Sequence, residues 1–113
     1  MHEMSLAEGV MGVVEDALRM QPPATVRRVR LEIGRLAAVE RESLRFSFDV
    51  VKRGTAADAA LLEIIDVPGM AWCMQCCDSV PLAQRGDGCP VCGSHQLQVT
   101  GGEELRVKDI ELA

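Results

Sequence analysis

Cys73-x2-Cys76 and Cys89-x2-Cys92, with twelve residues between the pairs, constrain this chain more than any other feature. Four cysteines so spaced form two short knuckles, whose thiolates can converge as a tetrahedron about 2.3 Å from one zinc ion. In the second knuckle, Cys89-Pro90-Val91-Cys92-Gly93, the proline stiffens the turn and the glycine permits a positive φ, so backbone N–H groups can point at sulfur. The segment is too poor in apolar residues to fold without such a staple, so Cys73, Cys76, Cys89 and Cys92 are the expected ligands of a structural Zn(II). Cys77 also lies within ligand spacing of Cys73, but only Cys76 makes the two knuckles match, which leaves Cys77 as a spare surface or packing thiol. His95 reads as a loop residue, because four thiolates already satisfy zinc. A thiol-redox role fits poorly, since no βαβ frame surrounds the cysteines.

The rest of the chain is long enough for one modest core: 113 residues, 48% hydrophobic but only 3% aromatic. That core must be built from Leu, Val, Ile and Met, with Phe46 and Phe48 as its bulky pieces. The scarcity of aromatics argues against base stacking, and a net charge of -5 repels a polyphosphate backbone. Between residues 70 and 102 only Arg85 faces Asp78 and Asp87, and four thiolates on Zn(II) add a net charge of about -2, so the Cys-rich lobe is acidic. A protein partner fits better than a nucleic acid. Glu3, Glu8, Glu15 and Asp16 interrupt the start, as a secretory signal does not, and no stretch approaches the roughly 20 apolar residues of a membrane span. A reducing cytoplasm is the expected setting, where clustered cysteines hold metal more often than they form disulfides.

Residues 5–20 read as a helix, with Leu6, Val10, Val13, Val14, Ala17 and Leu18 at helical spacing and Ser5 and Glu8 as a capping box. Val26 to Gly34 alternates as a half-buried strand, Val29, Leu31 and Ile33 on one face and Arg28, Arg30 and Glu32 on the other. Arg27, Arg28, Arg30 and Arg35 form the one basic group, and interleaved Glu32 makes it a solvated face. A second helix is expected over 40–53, with Leu44, Phe48 and Val51 in one stripe and Gly54 ending it. Residues 60–67 make another strand whose buried face the pattern leaves open. Leu105 to Leu112 reads as a returning strand with a β-bulge near Lys108 and Asp109. The expected architecture is α+β: two helices on a three-stranded sheet, formed by 1–69 and 103–113, with a zinc ribbon inserted at 70–102.

His2 and Glu3 follow the initiator methionine directly. Methionine is normally trimmed only ahead of small residues, so Met1 should remain. Its α-amine, the His2 amide nitrogen and His2 Nδ1 can then close two fused chelate rings, a nitrogen-rich tetragonal set that suits Ni(II) or Cu(II), with Glu3 able to fill a fourth position. Taken alone, a histidine at position 2 is better explained by simple exposure.

The combination is more specific than its parts. Met1-His2-Glu3-Met4-Ser5, Ile33-Gly34 closing the first strand, the Cys73-x2-Cys76 and Cys89-Pro-x-Cys92-Gly93 ribbon, and the final Leu-Arg-Val-Lys-x-Ile-Glu resemble the HypA/HybF family of hydrogenase maturation nickel chaperones along essentially the whole chain. The resemblance implies Ni(II) bound by His2 with help from Glu3, structural Zn(II) on the four cysteines, and no enzyme activity of its own. It also implies partnership with the GTPase HypB and delivery to the large subunit of [NiFe]-hydrogenase; some members also support urease. Glu40 falls where relatives can carry an acidic residue near nickel, and Cys77 departs from the commoner pattern. A separate GTPase fits the lack of a Gly-x4-Gly-Lys-Ser/Thr loop here. The rival class is a zinc-ribbon adaptor that docks proteins and leaves His2 idle.

Overall fold

A computed structural model describes residues 2–113 of the chain. The elements run α1 (His2–Arg19), β1 (Val26–Gly34), α2 (Arg41–Val51), β2 (Leu61–Val67), β3 (Met70–Cys73), β4 (Asp78–Pro81), β5 (Leu97–Gly101) and β6 (Leu105–Leu112). The strands form two three-stranded sheets, ordered β2-β1-β6 and β4-β3-β5. This is the α+β architecture the patterning predicts, with the Cys-rich strands in a sheet of their own. Two compact units result: one of residues 1–31, 39–64 and 106–113, the other of 32–38 and 65–105.

The first unit buries Ala7, Val10, Met11 and Val14 of α1, Val26, Val29 and Leu31 of β1, and Leu44 and Phe48 of α2. Burying side chains of this kind contributes about 1.5–3 kcal/mol each, and this core is what makes the amphipathic segments fold. Three expectations need correction. Helix α1 starts at His2, so Ser5 lies within the helix and the Ser5–Glu8 capping box does not form. Val13 and Ala17 are exposed, because both lie to one side of the buried stripe that runs through positions 7, 10, 11 and 14. Phe46 is 62% exposed and contributes nothing to the core that Phe48 fills at 1%: two residues on a helix are about 200° apart, so both rings cannot face one core.

On β1 the alternation holds, and the basic residues opposite its buried face are neutralised. Arg28 pairs with Glu63 at 3.4 Å, Arg30 with Asp109 at 3.3 Å, and Arg27 with Glu111 at 3.5 Å. These are exposed or half-exposed pairs, worth little in stability each, but they leave the arginines as a balanced solvated face.

In the second unit β3 is central and antiparallel to both neighbours, with Cys73 opposite Asp78 on β4 and Leu97 on β5. Its core is Leu36, Ala71, Cys73, Val80, Leu82 and Cys89. Two glycines hold its backbone crossing. A Cβ on Gly34 would stand 1.9 Å from the Gly102 carbonyl oxygen, and Gly102 itself has φ +95. The close approach lets Leu36 N–H donate to Gly102 O at 2.8 Å, while Gly34 N–H donates to Glu104 O at 2.7 Å. Leu36 is thereby threaded into the ribbon core, a role its place between β1 and α2 does not suggest.

Candidate metal centres

Cys73 ends β3, Cys76 lies in the turn that follows, and Cys89 and Cys92 come from the loop between β4 and β5. Their four sulfur atoms lie within 4.8 Å of one another. Sulfurs each about 2.3 Å from a common centre stand about 3.8 Å apart at the edges of a tetrahedron. Cys73 and Cys92 are separated by 3.6 Å and Cys76 and Cys89 by 3.9 Å, on either side of that edge. The cage has the dimensions of a tetrahedral thiolate site before any ion is considered. Backbone donors reinforce it: Cys76 N–H points at Cys73 Sγ at 3.3 Å and Val91 N–H at Cys89 Sγ at 3.4 Å, each able to offset thiolate charge.

Without a cation the thiols resist ionising together. Hydrogen bonding to Cys92, burial and contacts with Cys73 and Cys89 push Cys76 up to about 12. Cys89 moves the other way, down to about 7: the Cys92 and Val91 N–H groups favour its thiolate more than burial opposes it. One thiolate thus forms readily and a neighbour holds its proton, the expected behaviour of ligands crowded into one site. A divalent ion at the centre would reverse that preference and draw all four into the thiolate form.

The two knuckles match beyond their cysteines. Cys77 N–H donates to Cys73 O and Gly93 N–H to Cys89 O, both at 2.8 Å. Cys77 has φ 53 and Gly93 φ 77. Cys77 therefore stands where the second knuckle has its glycine, in a left-handed conformation that costs a side-chain-bearing residue about 1–2 kcal/mol. Its Sγ donates to Met74 O at 3.5 Å and is outside the four-sulfur set. Aligning Cys-x-x-Cys-Cys with Cys-x-x-Cys-Gly would have revealed this equivalence from the sequence. His95 is an exposed loop residue outside that set, its Cε1 3.3 Å from where a Gly88 Cβ would stand.

At the other candidate centre, His2 opens α1 with its side chain 61% exposed. Its Nδ1 lies 3.5 Å from Glu3 Oε2. The same Glu3 oxygen accepts from Glu40 N–H at 3.2 Å. Glu40 is the N-cap of α2, and its carboxylate accepts from Glu42 N–H at 2.9 Å. Glu3 is thus anchored to the start of α2 and holds the His2 end of α1 against it. The Glu40 N–H, then Glu3's own N–H, hold the Glu3 carboxyl below the usual range against a small burial penalty, and His2 adds to the effect. Amides in the first turn of a helix have no intrahelical acceptor, so enlisting the His2 and Glu3 nitrogens would break no helical bond. The positive end of the helix dipole disfavours a bare cation by about 0.3–1 kcal/mol, which a deprotonated amide or the Glu3 carboxylate can offset. The Met1 amine expected to complete the chelate lies outside the described residues.

An α+β unit whose first helix begins with His-Glu, joined to a four-thiol ribbon, defines a small metal-binding accessory protein. The chain belongs to the family described as hydrogenase/urease nickel incorporation, metallochaperone, hypA, which it matches over residues 1–112. It is 55% identical over 112 residues to the hydrogenase maturation factor HypA of Dechloromonas aromatica (strain RCB), covering 99% of each chain. To the HypA of Azoarcus sp. (strain BH72) it is 57% identical, covering 99% of this chain and 98% of that one. The fold is that of the solution structure of the Ni metallochaperone HypA from Helicobacter pylori, at a TM-score of 0.70 and 20% identity over 97% of this chain and 96% of that one. A second HypA solution structure aligns at a TM-score of 0.73 and 23% identity over 100% and 97%. No described helix is long and apolar enough to cross a membrane.

Proposed function

We propose that this chain carries Ni(II) at His2, assisted by Glu3, and delivers it for maturation of [NiFe]-hydrogenase, while Cys73, Cys76, Cys89 and Cys92 hold a structural Zn(II). The reading rests chiefly on one conjunction: whole-length membership of a nickel-incorporation family in a chain whose His-Glu pair sits in the first turn of a helix, with four thiols caged in another unit. It places the protein in the cytoplasm, with the GTPase HypB and the hydrogenase large subunit as partners and urease maturation as a further outlet. The nickel-binding unit on this reading is 1–69 with 103–113, and the ribbon is 70–102.

The two sites suit different tasks. Four thiolates converging on one ion, those of Cys73 and Cys89 buried, retain it, and zinc there supplies a crosslink that a lobe with so small a core lacks. A terminal chelate of amine, amide and imidazole leaves one side open to an incoming ligand. Amine, amide and imidazole nitrogens bind a metal only when free of their protons, so protons compete with nickel at such a site. Nickel affinity should therefore fall between about pH 7.5 and about pH 6, whereas zinc stays bound. Dialysis of the doubly loaded chain at the two pH values tests this: nickel should be lost at the lower pH while zinc, whose tighter binding can weaken without emptying the site, is retained, and equal loss of both metals would refute it.

A further inference from the structure

Two carboxylates meet where α1 and α2 begin, and the structure gives them different tasks. Glu3 Oε2 lies 3.5 Å from His2 Nδ1 and accepts the Glu40 N–H at 3.2 Å, and the Glu3 side chain is only 16% exposed. Glu40 Oε1 turns to its own helix, where as the N-cap of α2 it accepts the Glu42 N–H at 2.9 Å. Glu40 thus serves the His2 end of α1 with its main chain and α2 with its carboxylate.

The donor is well placed to hold Glu3 still. The hydrogen-bond ladder of α2 opens with Leu44 N–H on Glu40 O at 3.0 Å, so no bond within the helix competes for the Glu40 N–H. Leu44 and Phe48, each 1% exposed, fix α2 in the core and with it the position of that N–H. A glutamate side chain left alone has many rotamers to lose on binding. Here Oε2 already stands beside Nδ1, the imidazole nitrogen assigned to nickel. Hydrogen bonds that orient a metal ligand in this way typically carry about 10–100-fold in metal affinity. Linkage makes the effect reciprocal: a bond that favours metal is itself favoured by metal, by the same factor.

We propose that Glu40 is a positioning residue for nickel, acting through its main-chain N–H on Glu3, and that loading of the His2 site tightens the first turn of α2 against α1. The proposal rests on the carrier reading above. Its test uses the untagged, full-length, zinc-loaded chain titrated with Ni(II). Glu40→Pro removes the N–H at a residue whose φ of -82 lies close to the range proline imposes, and it should weaken nickel binding about tenfold or more. Glu40→Ser keeps the N–H and a capping oxygen but removes the carboxylate, and it should lose far less. In a Glu3→Ala background the proline change should cost nothing further, a non-additivity that general loosening of the helix would not produce. Hydrogen exchange over residues 39–42 of the parent chain should slow when nickel is added, a readout that needs no variant to fold. Equal losses in the serine and proline variants would put the effect in the carboxylate and overturn the proposal. Additive losses with Glu3→Ala, or exchange that nickel leaves unchanged, overturn it as well. Nickel uptake that needs His2 but ignores Glu40→Pro refutes the proposal alone, whereas uptake that survives His2→Ala refutes the carrier reading and the proposal together.

Discussion

Replacing Cys77 by glycine should make the protein more stable, although cysteine clusters usually punish any change. Cys77 has φ 53 and occupies the place of Gly93 in the matching knuckle, while its exposed sulfur has only a long contact to Met74 O at 3.5 Å. Relief of the left-handed strain is worth about 1–2 kcal/mol. The extra freedom glycine gives the unfolded chain takes back about 0.5–1 kcal/mol. The balance is a gain of about 0.5–1 kcal/mol, a rise in Tm of about 2–5 °C for a chain of this size. Cys77→Val should move the other way by about 1 kcal/mol or more, since a β-branched residue tolerates positive φ least. Thermal unfolding of the zinc-loaded variants, with metal content measured on the same samples, gives the answer. If Cys77→Gly lowers the Tm or loses zinc, Cys77 is a ligand and the assignment of Cys76 is mistaken.

Gly34→Ala should destabilise the ribbon unit by about 3 kcal/mol or more, because the new methyl would meet the Gly102 backbone at 1.9 Å and neither strand can yield without losing its hydrogen bonds; urea unfolding measures the loss. Zinc uptake by the metal-free protein should release protons unequally. With Cys76 pushed up to about 12 its proton is still present at pH 8 and is expelled in full, whereas Cys89, down to about 7, has already given up most of its own. A ligand thiol whose pKa is raised makes binding weaken as pH falls, so apparent zinc affinity should rise steadily from about pH 6 to about pH 8. Calorimetry in two buffers of different ionisation enthalpy counts the protons, and a pH-independent affinity would contradict the assigned states.

Much of this was legible in the sequence wherever one physical constraint acted alone. The Cys-x2-Cys spacing identified the four caged sulfurs because two-residue knuckles leave few other ways to converge four thiols. Strand β1 was readable because a half-buried strand must alternate, and Val29, Leu31 and Ile33 are fully buried. Ser5 and Glu8 offer a local cap that points to too late a start for α1, whereas the helix is secured from its first turn by a distant group, the Glu40 N–H on Glu3. No local pattern encodes a hydrogen bond across 37 residues. Periodicity does not place Val13, because a valine-rich helix has more apolar residues than one core face can bury, and only the partner elements decide which are covered. Leu36 belongs to the ribbon core through the Gly34–Gly102 crossing, a tertiary feature invisible to periodicity. At the start of α1 the pattern proposes donors on His2 and Glu3, and the structure adds that Glu3 tethers their helix to α2.

Nickel binding by the untagged, full-length chain, measured against His2→Ala and against a chain with its α-amine blocked, tests the carrier reading most directly. Both changes should abolish tight nickel uptake while leaving one zinc per chain and an unaltered circular dichroism spectrum. Nickel bound with undiminished affinity by either altered protein would place the carrier site elsewhere.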